Sequence, residues 1–364
     1  MRRSVVRASL VALPLVVMGC GNKSSGSGDA APSGGGSGKG LDAAGNDPAV
    51  VALAKKALAC TWNPQGPKYD CADRKAWESS DLFKGGKNDA TLVAMLEDGN
   101  EQVRWLAANR LVPLGSTYRG DKVLAERALN AALAEKGTLI GRAMGNVAGN
   151  IKLSELGLVE KARPLFKAPT PKEIRIGFLD QAQFNNRDAY YAAVTELAKS
   201  DPDKDIRMAA YGSFWTGTPK GKTAEVCQLW FDITHDANEQ VGSHAAYYLS
   251  FYSLDGGCAA KWDGMLDDIE KRAKAGTAKS SDWPGALYYM SGQKGASDAQ
   301  KGRAVTIAKA LAENAANGNS SRARALDVVA ERDAAGAKAY LEKFANDPDT
   351  YLKGRAQELL KKAK

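Results

Sequence analysis

Most of the chain carries one recurring pattern, in which apolar or small residues stand at positions i, i+4 and i+8. This spacing marks one stripe along an α-helix. The aliphatic residues that begin the stripes are Val103, Leu139, Ile174, Ile206, Val241 and Leu352. The residues four and eight positions on are Ala107, Ala143, Phe178, Ala210, Ala245 and Ala356, then Leu111, Val147, Ala182, Phe214, Leu249 and Leu360. A weaker copy begins at Ser321 and continues with Ala325 and Val329.

The stripes recur with a period of roughly 35 residues, which is typical of a two-helix repeat. An earlier, antiparallel helix is therefore expected in each unit, and the segments with suitable spacing are 91–97, 122–134, 189–199, 223–234, 262–273, 302–314 and 336–345. Between Val241 and Ser321 there is room for one more unit, stretched by a loop at 276–285. With no strand-like alternation of useful length, the sequence predicts an all-α fold, an α-solenoid of about eight stacked helical hairpins.

The second helix of several units resembles the HEAT-repeat family of armadillo-like α-solenoids. The resemblance lies in Asp98 with Val103-Arg104, Asp201 with Ile206-Arg207, Asp347 with Leu352-Lys353, and Asp236 with Gly242 in place of the basic residue. It implies that these residues cap helices and link consecutive repeats. The residues with this expected role are Asp98, Arg104, Asp201, Arg207, Asp236 and Asp347. The repeat domain is expected over 90–364, preceded by an atypical helical cap over 41–89.

The N-terminus combines a basic start with a short apolar run. Arg2, Arg3 and Arg7 precede the apolar stretch 8–18, which is too short to span a bilayer. It ends in Val17-Met18-Gly19-Cys20, which resembles the lipobox of bacterial lipoproteins. The resemblance implies a signal peptide over 1–19 and a diacylated Cys20. The alternative is an ordinary signal peptide followed by a chance cysteine.

Residues 20–40 follow as a Gly/Ser-rich segment that is expected to be a flexible linker. Apart from Cys20 and Pro32, its only apolar side chains are alanines, so it can bury too little surface to offset the entropy of ordering. The resemblance to lipoproteins places the protein in the cell envelope, attached to the membrane through its N-terminal lipid. Gly21 is not the Asp that favours the inner membrane in enteric bacteria, so the periplasmic face of an outer membrane is the expected site.

The four remaining cysteines are even in number, which in an exported protein suggests two disulfides. Pairing of Cys60 with Cys71 and of Cys227 with Cys258 closes the shortest loops among the three possible arrangements. Cys227 lies near the start of one expected helix and Cys258 just past the end of the next, so an antiparallel hairpin would bring them together. No CxxC spacing indicates a zinc site or a redox motif.

Charge and polar motifs give little sign of chemistry. Loss of three arginines with the signal peptide leaves 47 Lys+Arg against 42 Asp+Glu, a net charge of +5 without blocks of like charge, so we expect no nucleic-acid partner. His235 and His244 lack the spacing of a helical zinc pair. The run 201–205 fails the calcium-loop pattern, and 217–223 has too few residues for a phosphate loop. We expect no cofactor, no metal and no enzyme activity.

Aromatic residues crowd the middle repeats: of 27 in the chain, 16 lie between Phe184 and Tyr289. They include three adjacent tyrosine pairs, whose members point about 100° apart on a helix. The outward members, taken as Tyr191, Tyr248 and Tyr289, form a candidate binding surface, because tyrosine suits interfaces. The simpler alternative is that these rings fill gaps between hairpins.

These observations together predict a lipid-anchored envelope protein that presents a helical-repeat surface to a protein partner. One alternative is an envelope enzyme or small-ligand receptor with its site in residues 184–290. Another is a purely structural envelope protein.

Overall fold

The computed structural model describes residues 40–63, 66–112, 116–137, 139–251, 258–333 and 335–362. The expected signal peptide, the lipidation candidate Cys20 and all of the expected linker except Gly40 lie outside these residues. The described residues belong to one compact unit, so residues 41–89 are continuous with the repeats that follow.

The N-terminal part contains short elements held by a disulfide. They are a 3₁₀ helix Gly40–Asp42, helix α1 (Pro48–Leu58), strands β1 (Trp62–Asn63) and β2 (Gly66–Pro67), helix α2 (Ala72–Ser79) and a 3₁₀ segment Asp81–Gly86. The two strands pair antiparallel. Cys60 and Cys71 flank this hairpin and are bonded, with their Cα atoms 6.0 Å apart.

Helical pairs make up the rest of the described chain, and each pair has a first and a second helix. The pairs are α3 (Asp89–Met95) with α4 (Glu101–Leu111), α5 (Lys122–Ala134) with α6 (Gly141–Gly149), the short α7 (Leu153–Leu156), α8 (Val159–Ala162) and 3₁₀ helix Arg163–Phe166 with α9 (Lys172–Asn185), α10 (Arg187–Ser200) with α11 (Lys204–Gly217), α12 (Thr223–Ile233) with α13 (Glu239–Phe251), α14 (Trp262–Ala275) with α15 (Asp282–Gly292), α16 (Asp298–Glu313) with α17 (Asn319–Arg332), and α18 (Ala337–Glu342) with α19 (Thr350–Lys362). The prediction of an all-α, solenoid-like fold is confirmed.

The stripes read from the sequence form the core of this stack. Residues that begin five of the stripes are at most 2% exposed: Val103, Ile174, Ile206, Val241 and Leu352. The weak copy at Ser321 is fully buried as well. The unit that had no stripe of its own is α14–α15, where Trp283 and Leu287 are fully buried. Most successive second helices contact each other more extensively than successive first helices do, so the second helices form the more closely packed layer, which we call the inner layer.

One predicted stripe is shifted by a residue at its first two positions. Ile140, just before α6, and Met144 are fully buried, whereas Leu139 and Ala143 remain partly exposed. Val147, the third residue of the stripe, is fully buried as predicted. The reason is a close approach to α9: a Cβ atom added to Gly145 would lie 2.1 Å from the carbonyl oxygen of Ile174. Glycines at 141, 145 and 149 turn one side of α6 toward α9, and this rotation sets which apolar residues are buried.

The sequence pattern does not predict the first half of the pair that ends in α9. It consists of two helices of four residues each and a 3₁₀ turn, which are too short to show a helical period. Leu153, Leu165 and Phe166 from this segment are nonetheless buried and complete the core at that level.

The second disulfide joins the first helix of one pair to the segment that follows its second helix. Cys227 lies in α12 and Cys258 follows α13, with Cα atoms 5.1 Å apart. Both cysteines are buried. The pairing in the structure is therefore the nearest-neighbour arrangement, and in the chain-entropy model a loop of this size contributes about 3–4 kcal/mol.

The repeated aspartates shape the turn before each second helix, and they are not themselves the N-caps. Asp98, Asp201, Asp236 and Asp347 each accept a hydrogen bond from the backbone N–H two residues on, at 2.7–2.9 Å. The side chain of the residue that donates this N–H then caps the helix. The capping residues are Asn100, Asp203, Asn238 and Asp349. The expected capping role therefore belongs to the position two residues later, where the chain enters the helix.

Arginines on second helices link four of the pairs to the pair that follows, and we call Arg104, Arg175, Arg207 and Arg322 the arginine ladder. Arg207 makes two bonds to Asp236, at 3.0 and 3.1 Å, and also donates to the carbonyl of Asp201 at 2.8 Å. Arg104 binds Glu135 in the same way, at 2.7 and 2.9 Å. The other two links are Arg175 to Asp201 and Arg322 to Asp347. Asp98, whose turn is not preceded by another second helix, instead accepts the N–H of Leu41 at 2.7 Å.

The ladder is interrupted at Gly242, where a Cβ atom would lie 2.7 Å from the carbonyl oxygen of Thr234. Glu239 supplies the link there. Its carboxylate accepts from the backbone N–H groups of Lys279 and Ser280 and from Trp283 Nε1 at 3.1 Å. Glu101, at the matching place in an earlier repeat, accepts from the N–H of Leu139 at 2.9 Å.

The α6–α9 contact predicts opposite effects for two glycine substitutions. A Cβ atom at Gly177 would lie 2.1 Å from the carbonyl oxygen of Arg142, whereas Gly302 in α16 has open space around it. Gly177→Ala should lower the free energy of unfolding by about 3 kcal/mol through overpacking. Gly302→Ala should raise it by about 0.5–1 kcal/mol, because alanine favours the helix. Urea unfolding followed by circular dichroism measures both; a harmless Gly177→Ala would mean that the two helices do not touch.

The arginine ladder predicts that breaking a largely buried ion pair lowers the free energy of unfolding more than breaking an exposed ion pair does. The Arg207 and Asp236 side chains are 13% and 16% exposed, while Arg142 and Asp180 form a pair that is 60% and 31% exposed. Arg207→Met should cost about 2–3 kcal/mol because it leaves Asp236 buried without its partner. The matched change Arg142→Met should cost less than about 1 kcal/mol. Equal shifts in the urea midpoints of the two variants would contradict a linking role for Arg207.

Candidate binding surface

The middle aromatic residues divide between the core and the inner layer of second helices. Tyr190, Tyr211, Trp230 and Trp283 are at most 1% exposed. Their polar atoms are satisfied inside: Tyr211 donates its hydroxyl to the carbonyl of Val241 at 3.1 Å, and Trp230 Nε1 donates to the carbonyl of Tyr211 at 3.0 Å. For these rings the gap-filling interpretation holds.

Tyr191, a predicted surface residue, lies in the first-helix layer. It projects from α10, donates its hydroxyl to Glu225 at 3.1 Å and lies 5.5 Å from the ring of Phe214. It is half-buried and packs against the core. Tyr191 therefore does not share a surface with residues that project from the second helices.

In the pair on α13, the outward member is Tyr247 and not Tyr248. Tyr248 packs against the core and stacks on Trp230, with ring centroids 5.8 Å apart. Helix geometry explains this: relative to the buried Ala245, Tyr248 is turned by about 60° and Tyr247 by about 160°. The assignment of Tyr248 as an outward residue is thus corrected. The same count of helical angle from the buried Leu287 places Tyr289 on the outward side of α15, as expected.

We define the aromatic strip as Trp215, Tyr247, Phe251, Tyr288 and Tyr289. Its rings touch across three second helices. The centroid distances are 6.1 Å for Trp215–Phe251, 5.1 Å for both Phe251–Tyr289 and Tyr247–Tyr289, and 5.3 Å for Tyr288–Tyr289. Trp215 is 41% exposed and the other four rings are half-buried. The strip is therefore a continuous, partly open aromatic surface that crosses α11, α13 and α15.

The strip is neutral and rests on His244, a half-buried titratable group. Burial lowers the pKa of His244 despite the nearby carboxylate of Asp282, and the Nδ1 atom of His244 is 3.2 Å from the hydroxyl oxygen of Tyr211. Burial raises the pKa of Tyr247, and the hydroxyl of Tyr289 raises it further. Tyr247 and His244 are therefore uncharged at neutral pH, so the strip offers apolar rings with hydroxyl tips.

Two guanidinium groups border the strip at its C-terminal end. Arg324 and Arg332 of α17 lie over the ring of Tyr288, at 5.2 and 5.1 Å from its centroid. Such contacts favour a cation on the face of a tyrosine ring. Guanidinium groups thus border the neutral aromatic rings between α15 and α17.

The larger grooves elsewhere are lined mainly by polar and charged side chains, many of which pair with each other. One of about 550 Å³ includes Arg104, Arg127 and Glu135, and another of the same volume includes Arg324, Asp327 and Arg355. A third of about 570 Å³ includes Tyr191, Glu225 and Lys261. Within the described ranges no group of three or more His, Cys, Asp or Glu side chains is placed to hold a metal ion. None of the described helices has the length and apolar character needed to cross a membrane.

Comparison with known proteins gave no matching family model, no matching curated protein and no matching solved structure.

Proposed function

We propose that the protein is a lipid-anchored binding or scaffold protein of the bacterial cell envelope, a HEAT-like solenoid that binds a protein partner through the aromatic strip. The observation that carries this proposal is the strip itself. Its rings are held in a fixed order by α11, α13 and α15, and all five are at least partly exposed, although Tyr288 also packs against the core.

Tyrosine and tryptophan are enriched among the residues that dominate binding energy in protein interfaces. Their large rings lose little entropy when they bind, and tyrosine adds a polar tip. The strip is also pre-organised, because each ring already contacts its neighbour in the free protein, and pre-organisation reduces the cost of association. A rigid surface of this kind suits a partner with a complementary apolar segment.

The anchor and the tether support an envelope location. Arg2, Arg3, Arg7 and the lipobox-like sequence ending in Cys20 favour export and lipidation, and dual acylation is sufficient for stable membrane attachment. The Gly/Ser-rich segment 20–40 would allow the repeat domain to reach partners near the membrane. The two disulfides fit an oxidising compartment. We place the protein at the periplasmic face of the outer membrane.

The binding proposal predicts the loss of one captured partner when the strip is truncated. Crosslinking in intact cells followed by affinity capture should recover one abundant envelope protein with the wild-type chain. The double variant Phe251→Ala, Tyr289→Ala should reduce its recovery at least tenfold, because truncation of a central aromatic anchor costs about 2 kcal/mol or more.

The matched control is Tyr351→Ala, which removes an aromatic ring that is 62% exposed on α19 and outside the strip. It should leave recovery unchanged, and circular dichroism should show both variants folded. If the strip variant still captured the partner at the wild-type level, the aromatic strip would not be the binding surface.

The anchor proposal predicts a lipid on Cys20 alone. Metabolic labelling with palmitate should mark the wild-type protein, and Cys20→Ser should remove the label completely. Cys71→Ser, which breaks a disulfide but leaves the lipobox intact, should keep it. Label that persisted in the Cys20→Ser protein would rule out this cysteine as the lipidation site.

A further inference from the structure

We infer that the C-terminal end of the aromatic strip recognises an acidic residue in an extended peptide segment of the protein partner, with Arg332 as the group that binds the carboxylate. This inference rests on the proposed function and specifies the chemistry of the partner. It is argued from the contacts of Arg332, from the charge balance around Tyr288 and from the direction of the strip.

Arg332 is fixed by neutral groups. Its Nε donates to Ser291 Oγ at 3.2 Å, its Nη2 donates to the carbonyl of Tyr288 at 3.3 Å, and its guanidinium lies over the Tyr288 ring. Among the residues that the structure describes, no carboxylate lies within 4.0 Å of it, in contrast to the arginine ladder. These two bonds use two of its five N–H donors, so donors remain for a ligand.

The described carboxylates nearby are engaged by other arginines and do not pair with Arg332. Arg324, the second guanidinium over Tyr288, binds Asp327 at 2.7 Å. Asp327 also pairs with Arg355, at 2.6 Å, and Arg355 is paired with Glu358 as well. A guanidinium of fixed plane binds a carboxylate through two parallel, charge-assisted bonds, which makes it a better match than a flexible lysine. Charge complementarity therefore favours an acidic ligand at α17.

The direction of the strip favours an extended chain. The rings run across α11, α13 and α15 and lead to Arg332 on α17, so a ligand that touches all of them lies crosswise to the helices. An extended peptide advances about 3.1–3.4 Å per residue, so roughly five or six residues cover the rings. Such a segment would place apolar or proline side chains on the rings and its acidic side chain beside Arg332.

The test is selection of a random 12-residue display library on the full chain purified in detergent. Enriched peptides should combine aromatic or proline residues with an Asp or Glu toward one end. In synthetic copies, replacing that acid with its amide should weaken binding at least tenfold, as measured by fluorescence anisotropy.

Arg332→Gln should weaken binding of the acidic peptides and reduce their preference over the amide forms to less than twofold. The matched control Arg142→Gln changes an arginine on α6, away from the strip, and should keep the tenfold preference. Thermal melting separates this effect from simple unfolding, because Arg332 also bonds the last turn of α15. A variant that lost stability but kept the tenfold preference would make Arg332 structural only.

The other outcomes are equally decisive. Enrichment without an acidic preference would overturn the role of Arg332, and failure to enrich any peptide would overturn a peptide as the occupant. In either case the strip variants could still lose their partner in cells, and the proposed function would stand without this inference. Acidic peptides that bind in vitro while no partner is captured in cells would leave the inference intact and remove the envelope function.

Discussion

The structure depends on close packing between successive second helices. A single helical hairpin cannot bury both of its apolar sides, so each pair is stable only against its neighbours. The contact between α6 and α9 shows how tight this packing becomes: the backbone at Gly145 and Gly177 leaves no room for a methyl group. Alanine serves the same purpose at other levels, where Ala107, Ala210, Ala245 and Ala356 stand in the middle of the stripes. Small residues therefore set the spacing of the inner layer.

Apolar packing alone would let one pair slide along the next, and polar links at several of the turns oppose this. Arg207 illustrates the device, because it joins Asp236 of the following turn to the carbonyl of Asp201 in its own. A half-buried pair of this kind contributes modestly to stability, but its bidentate geometry admits one relative position of the two units. Where Gly242 replaces the arginine, Glu239 reaches forward to Trp283 and to two backbone N–H groups instead. The two pairs are still linked, but here the second helix contributes an accepting carboxylate instead of a donating guanidinium.

The fold was accessible from the sequence because its period is long and its stripes are regular. The spacing alone predicts that Val103, Ile206 and Val241 are buried, and they are. The glycine-rich side of α6 and the short helices before α9 were not recognised, since close backbone contact and four-residue helices leave little periodic signal. Arg175 and Arg322 were missed as ladder members, although each follows the residue that begins a stripe, as Arg104 follows Val103. Glu135, the partner of Arg104, was missed because it stands where the other repeats have aspartate. The outward tyrosine of α13 could have been predicted from the sequence, since counting about 100° per residue from Ala245 separates Tyr247 from Tyr248.

The aromatic strip lies over a level where the arginine ladder is interrupted, and the rings supply a contact there. Tyr247 of α13 and Tyr289 of α15 bridge these two helices, at 5.1 Å between centroids, at the level where Gly242 replaces the arginine. The gap-filling and surface interpretations of these rings are therefore compatible: a ring can join two helices with one edge and present its other side to a partner. Trp215 and Phe251 lie at the margin of this contact, whereas Tyr248 and Trp230 lie beneath it. Because the same contacts hold the helices and fix the rings, the geometry of the surface is as rigid as the α13–α15 junction itself.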